Sequence, residues 1–216
     1  MDLIEVLQKR YSCRAYSDKD ISENDLSRII NYSSLAPSAG NLQPWHVVIV
    51  KNKDKRNSLA IASLNQTWMS KAPVHLVICG NEDYVKKFYK VKGELYTIQD
   101  CAAFIENILL MATSLKLSTC WVGAFDEKMV KRELEIPENI KVYAIITLGY
   151  GIERHPNHKK RYDSSAFTFF EKYGTKSQDK SLLPIKDKIQ EKMPEIKEES
   201  RNLFQKLKEK LFKVSK

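Results

Sequence analysis

The chain has 216 residues, 43% of them hydrophobic and 29% charged, with a formal net charge of +9. That length suits one domain with an appendage, and that hydrophobic content is enough to bury a core, which excludes global disorder. The basic balance points to nucleic acid or an anionic ligand, but residues 175–216 hold 12 Lys+Arg against 7 Asp+Glu while residues 1–174 hold 24 against 20, so the body itself is only mildly basic.

Residues 2–10 place Leu3, Ile4 and Leu7 on one helical face. Ser22 is suited to cap a second helix, with Asp25 in its first turn and Leu26, Ile29 and Ile30 on its inner face; this helix runs toward Leu35 and stops before Pro37. Residues 46–50 predict a buried strand, 55–64 a helix, and Val74–Cys79 a second buried strand. Residues 96–117 form the longest helical candidate. Its apolar residues run nearly all round, which implies burial on most sides and contact with a second subunit. Asp126 caps a short helix, and Val142–Leu148 predicts a third buried strand. Helices alternating with short apolar strands make an α+β pattern. After Gly174 no glycine remains, and two amphipathic helices are predicted, one carrying Leu182, Ile185, Ile189, Met193 and Ile196, the other Leu203, Leu207 and Leu211. This extension either packs on the domain or a partner subunit, or presents a basic face to nucleic acid or anionic lipid.

Cys13, Cys79, Cys101 and Cys120 show no CxxC spacing, and the last three lie in apolar runs, where a thiol behaves as a small hydrophobe. No zinc or iron–sulfur site is expected. The N-terminus lacks a signal-peptide apolar region, and no apolar run approaches the ~18 residues of a membrane span, so a reduced, cytoplasmic, soluble protein is expected. Walker A, GxGxxG and GxSxG sequences are absent. His155 and His158 flank Pro156, which disrupts helical ligand geometry, and His46 and His75 each open an apolar strand, where a structural role is expected.

The residues that invite chemistry are cations and a loop. Arg10, Ser12 and Arg14 recur at spacing two, which in extended backbone puts two guanidinium forks and a hydroxyl on one side, a plausible anion receptor. A second basic cluster is His158-Lys159-Lys160-Arg161. Between them, APSAGNLQP at 36–44 combines helix-breaking Pro37, Gly40 and Pro44 with the hydrogen-bonding groups of Ser38, Asn41 and Gln43.

Five blocks resemble, in order, the nitroreductase family of FMN-dependent oxidoreductases: KRYSCRAY at 9–16, PSAGNLQPWHVVIV at 37–50, Asn65-Gln66 with Ala72-Pro73 leading into VHLVIC, TCWVGAFD at 119–126, and LGYGIERHPNHKKRYDSSAFTFFEKYG at 148–174. The resemblance covers 1–174, implying a flavin domain there and a charged helical extension at 175–216. The family fold is a mixed, mainly antiparallel sheet flanked by helices, built as an intertwined homodimer with FMN at the subunit interface. Carried across, Arg10 and Ser12 with Lys159 and Arg161 would hold the FMN phosphate, and Arg14 would face the flavin edge that becomes anionic on reduction. Pro37, Ser38 and Asn41, with Gln43 assisting, would reach the flavin from the other subunit. Asn65 and Gln66 would lie near its pyrimidine ring, and Gly123 would present its backbone N–H to flavin N5, where close approach suits a glycine. Phe88, Tyr89 and Tyr96 would shape the substrate pocket.

Two positions depart from the family pattern. Asp163 stands where proline is frequent, which changes the local backbone and adds a negative charge beside Lys159 and Arg161, and Gly151 also replaces a frequent proline, with little consequence expected. The implied activity is ping-pong hydride transfer from NADH or NADPH through FMN to a small acceptor such as a nitroaromatic or quinone, with no catalytic side chain and no metal. The alternatives are reductive dehalogenation or flavin destruction on the same fold, or a basic binding module acting through the tail. A homodimer and a small-molecule acceptor are the expected partners; nucleic acid and membrane are not, beyond the minor possibility the tail leaves.

Overall fold

Asp2 accepts the Glu5 N–H at 2.8 Å and so opens α1 (Leu3–Lys9) with a side-chain cap. The same device starts most helices of the chain. Ser22 caps α2 (Glu23–Ser33), Asn52 caps α3 (Lys53–Ala62), Asn81 caps α4 (Glu82–Tyr89) and Asp126 caps α6 (Glu127–Leu134). The long α5 (Gly93–Ser114) lacks such a cap and is held by its packing. In this computed structural model residues 1–152 and 161–176 are described. Lys159 and the expected tail helices lie outside them.

Four strands form one sheet in the order β1-β2-β4-β3: β1 (Trp45–Val50), β2 (Val74–Gly80), β4 (Lys141–Gly149) and β3 (Ser118–Val122). Every ladder is antiparallel, and the parallel element is a single bridge from Ser12 to Thr119. β2 and β4 are central, so their residues read as unbroken apolar runs rather than alternating ones. On one face of the sheet α2 and α5 enclose Leu26, Ile29, Leu76, Ile78, Phe104, Ile108, Ile146 and Leu148. Trp45 stacks on Phe104 with ring centroids 5.0 Å apart. On the other face α3 and α6 cover Leu59, Val77, Val122, Val130 and Ile145. The sheet with helices on both faces is the expected α+β fold.

The structure adds two elements that periodicity did not mark. β3 is an edge strand of five residues, and α4 is a polar surface helix whose start depends on the Asn81 cap. It also shifts α5 three residues toward the N-terminus of the expected span, because Lys116 turns left-handed (φ 62°) and stops the helix early. The apolar face expected of α1 is present but points outward: Leu3, Ile4 and Leu7 are 66%, 67% and 54% exposed, and Val6 is the residue that enters the core. The α5 expectation holds for its later turns, while Leu95 and Ile98 in its first turns remain exposed.

Chain contacts divide the protein into two units, Met1–Asn157 and His158–Lys216, so the division falls inside the stretch expected as one flavin domain. All the elements above belong to the first. In the second, Asp163 accepts the Ser165 N–H at 3.0 Å and caps a short turn at Ser164–Ala166. The acid that departs from the family pattern therefore has a local structural use. No helix among the described residues is long and apolar enough to cross a membrane.

Candidate functional site

Arg10 ends α1 in extended backbone (φ −65°, ψ 126°), and the chain then runs alongside β3. Ser12 bridges Thr119, and the Cys13 N–H donates to the Thr119 carbonyl at 2.9 Å. The extended path produces the alternation that spacing two predicts: Cys13 is fully buried, while Ser12 and Arg14 are exposed and Arg10 is half-buried. All three converge on Cys120 of β3. Burial raises that thiol, while the Arg14 and Arg10 charges and a hydrogen bond with Ser12 pull it back. Arg14 also lies over the Trp68 ring, 5.7 Å from its centroid. Among the described residues neither Arg10 nor Arg14 forms an ion pair with a carboxylate. Two guanidinium groups thus keep their bonding capacity for an anion.

Asn65 and Gln66 follow α3 in a turn where Leu64 and Asn65 are both left-handed (φ 56° and 59°). The Thr67 N–H donates to the Asn65 carbonyl at 2.8 Å, and Gln66 leads into the short turn Thr67–Lys71 that carries Trp68. The Asp126 N–H donates to the Ala62 carbonyl at 2.8 Å, tying this region to the segment after β3 that contains Gly123. A Cβ on Gly123 would meet only Trp121 Nε1, at 3.9 Å. The exposed backbone there is open to a flat partner. Gly151 is the opposite case. A Cβ on it would come within 2.7 Å of Ser118 Oγ, 2.8 Å of the Tyr11 hydroxyl and 3.0 Å of Cys13 Sγ. A side chain at Gly151 would therefore require the ends of these three side chains to shift.

The loop Pro37–Gln43 lies at the start of β1. Gly40, Asn41 and Gln43 all have positive φ (56°, 57° and 48°), two of them with side chains, which is costly backbone. Hydrogen bonds over-determine it. Ser38 Oγ accepts the Gln43 N–H at 3.1 Å, and the Gln43 amide nitrogen donates to both oxygens of Asn41 at 3.2 Å. The Ala39 N–H donates to Asp100 Oδ1 on α5 at 3.0 Å. A Cβ on Gly40 would lie 2.7 Å from the Tyr89 hydroxyl oxygen, and the Tyr89 ring meets Tyr96 edge-on at 4.9 Å. Tyr89 and Tyr96 therefore adjoin this loop. Phe88 is exposed, and its ring instead meets Tyr84 edge-on at 5.6 Å. Glu82 anchors α4 beneath these rings. Burial alone would raise its carboxyl, but hydrogen bonds from Lys86 (2.7 Å) and Tyr143 (2.9 Å) bring it below the usual carboxylate range.

The expected site residues thus fall into two groups. Arg10, Ser12, Arg14, Asn65, Gln66 and Gly123 gather around β3. Pro37, Ser38, Asn41, Gln43, Tyr89 and Tyr96 gather by β1. These strands are the two edges of the sheet, about 14 Å apart at three inter-strand steps. Arg161 is exposed and belongs to the second unit, described by itself. Sequence reasoning missed Trp68 and Asp100. The signal for Asp100 was present, as a carboxylate inside the most apolar helix of the chain.

The match to known proteins agrees with this geometry. The nitroreductase family profile matches residues 7–68 and 57–150, and the chain belongs to the nitroreductase family. A protein of Archaeoglobus fulgidus, provisionally named NADH dehydrogenase/NAD(P)H nitroreductase, is 35% identical over 153 residues, covering 69% of this chain and 85% of that one. The oxygen-insensitive NADPH nitroreductase of Helicobacter acinonychis is 26% identical over 200 residues, covering 76% of this chain and 95% of that one. An FMN-dependent nitroreductase structure from Clostridium difficile R20291 superposes with a TM-score of 0.66 at 26% identity, covering 79% and 99% of the two chains.

Proposed function

We propose that this protein is an FMN-dependent NAD(P)H oxidoreductase whose site is assembled from two copies of the chain. As an oxidoreductase of the nitroreductase family it uses FMN and NAD(P)H. The residues fit that cofactor: two guanidinium groups with no carboxylate partner among the described residues, and a hydroxyl, suit its phosphate and its electron-rich edge, and the open backbone at Gly123 suits its flat ring. When bound, FMN supplies the two-electron hydride carrier, alternately serving the nicotinamide donor and a small acceptor such as a nitroaromatic or a quinone.

The chain's own residues bind and orient. Arg10 and Ser12 would hold the phosphate. Arg14, its guanidinium stacked on Trp68, provides fixed positive charge at the pyrimidine edge. Asn65 and Gln66 would hold the polar rim of the ring, and the open backbone at Gly123 would leave room for the ring to approach. No side chain needs to move a proton, so the chain's contribution is alignment and electrostatics. Pro37, Ser38, Asn41 and Gln43 come from the neighbouring subunit, and Tyr89 and Tyr96, with Phe88 outside them, wall the acceptor's space. The four free, buried cysteines are compatible with a reducing cytoplasm.

The observation that carries the two-copy reading is the sheet order. It places the loop and the cation segment at opposite edges, and α1, α5 and the loop leave Leu3, Ile4, Leu7, Leu95 and Ile98 exposed for a partner. Purified protein should be yellow, release FMN on denaturation and bleach on addition of NADH or NADPH without oxygen. A colourless protein that rejects added FMN sinks the reading.

A further inference from the structure

We infer that Asp100 is a positioning residue acting across the subunit boundary: it holds the Pro37–Gln43 loop in the shape that completes the neighbouring subunit's flavin site. The inference rests on the two-copy reading above.

Four observations point to it. Asp100 is 6% exposed and lies in the middle of an apolar helix, where an ionisable group is costly unless it has a use. Oδ1 accepts the Ala39 N–H at 3.0 Å, across 61 residues of sequence. Ala39 is the first residue of the 3-10 turn Ala39–Asn41, and its N-cap Ser38 makes no side-chain cap, because Ser38 Oγ is engaged by the Gln43 N–H. Asp100 therefore supplies the cap that the loop's own sequence does not. Finally, the turn it caps contains consecutive left-handed residues, Gly40 and Asn41, with Gln43 left-handed just beyond, and strained backbone of this kind persists only where surrounding structure fixes it.

The second oxygen, Oδ2, is buried and has no hydrogen-bond partner. Burial accordingly raises the Asp100 carboxyl, partly offset by the Ala39 N–H. The arrangement makes sense if what matters is the direction of Oδ1. Tyr96, one helical turn before Asp100, carries Tyr89 against Gly40, so the same stretch of α5 that caps the loop also backs it with two rings.

Subunit mixing tests the inference. In an R10A homodimer and in a D100A homodimer every site is defective. In a heterodimer of one R10A chain with one D100A chain, one site receives Arg10 from the second chain and an intact loop from the first. The two chains are co-expressed with different tags, the doubly tagged dimer is isolated, and its FMN content and FMN affinity are measured. The account expects about one FMN per heterodimer at wild-type affinity, with each parent homodimer weakened at least about ten-fold. D100N retains a carbonyl acceptor at Oδ1 and should hold FMN within about three-fold of wild type, which guards against a D100A chain that simply folds badly. Dimers that form without restoring a site place Asp100's effect within its own chain and overturn the inference while leaving the two-copy reading intact. Chains that never pair overturn both. A D100A homodimer with unchanged FMN affinity removes Asp100 from any positioning role.

Discussion

The two edges of the sheet solve the same problem, presenting polar groups to a ligand, in different ways. At the β3 edge the chain is held by backbone: Cys13 bonds to Thr119, Ser12 bridges it, and Gly151 lets the segments come close. Two guanidinium groups project from that frame, Arg10 and Arg14, and neither pairs with a carboxylate among the described residues. At the β1 edge the backbone is the strained part, and side chains from elsewhere (Asp100, Ser38, Gln43) hold it. The first edge offers charge on a stable frame, and the second offers shape at a cost in backbone energy. A charged, flat cofactor needs both, and one chain keeps them apart.

Substitutions should separate the edges. Phe104→Ala removes the ring on which Trp45 at the start of β1 stacks, and should cost about 3–5 kcal/mol of stability in a denaturant titration. A loss under 1 kcal/mol would mean that the β1 edge does not depend on this packing. Arg10→Ala should weaken FMN binding by about 2–4 kcal/mol in calorimetry while leaving the apoprotein's melting temperature nearly unchanged, because Arg10 has no carboxylate partner among the described residues. Unchanged FMN affinity would remove Arg10 from the phosphate site.

His75 supplies a pH test in the interior between the edges. It is fully buried on β2, with its Nε2 against the Met69 carbonyl at 2.9 Å, and burial lowers its pKa to about 4. The unfolded chain then binds this proton more readily than the native one. Stability contributed by neutral His75 is present above the ordinary histidine pKa of ~6.5 and is lost as pH falls from there toward 4, by up to about 3 kcal/mol. The same titration on His75→Gln should show a flatter pH dependence over that window, and an unchanged slope would exclude His75 as its source. The smallest effect expected is for Asn41→Ala. It puts a side chain without local hydrogen bonding at φ 57° and removes one of the two acceptors of the Gln43 amide, leaving the Asn41 carbonyl, and should lower apoprotein stability by about 1 kcal/mol.

The fold was legible in the sequence where one physical signal dominated. β2 and the later turns of α5 are apolar because they are buried, and α2 announces itself with Ser22 as cap and Leu26 and Ile29 inside. α4 was not read from the sequence, since its amphipathic pattern, Tyr84, Val85, Phe88 and Tyr89, spans only eight residues. β3 was hidden because its alternation spans only five residues at an edge. The meaning of α1 was misleading. Leu3, Ile4 and Leu7 follow helical spacing, but spacing does not say whose core they enter.

Spacing two at Arg10, Ser12 and Arg14 anticipated the backbone, because the segment is extended against a strand. Asp100 stood out in sequence as a carboxylate in an apolar helix, but its partner was out of reach, because the hydrogen bond joins residues 61 apart and only packing of α5 against the loop brings them together. Asp163, a departure from the family pattern, acquires a local reason in the structure as a turn cap, and Gly151 sits among the side-chain ends of Ser118, Tyr11 and Cys13.

The central claim is that a complete site needs two copies of the chain. Sedimentation of the full-length protein, followed at the flavin's visible absorbance, tests it directly. The account predicts that all flavin sediments at twice the 25.0 kDa chain mass, with one FMN bound per chain. Flavin travelling with a single chain, tightly bound and reducible by NADH or NADPH, would contradict it.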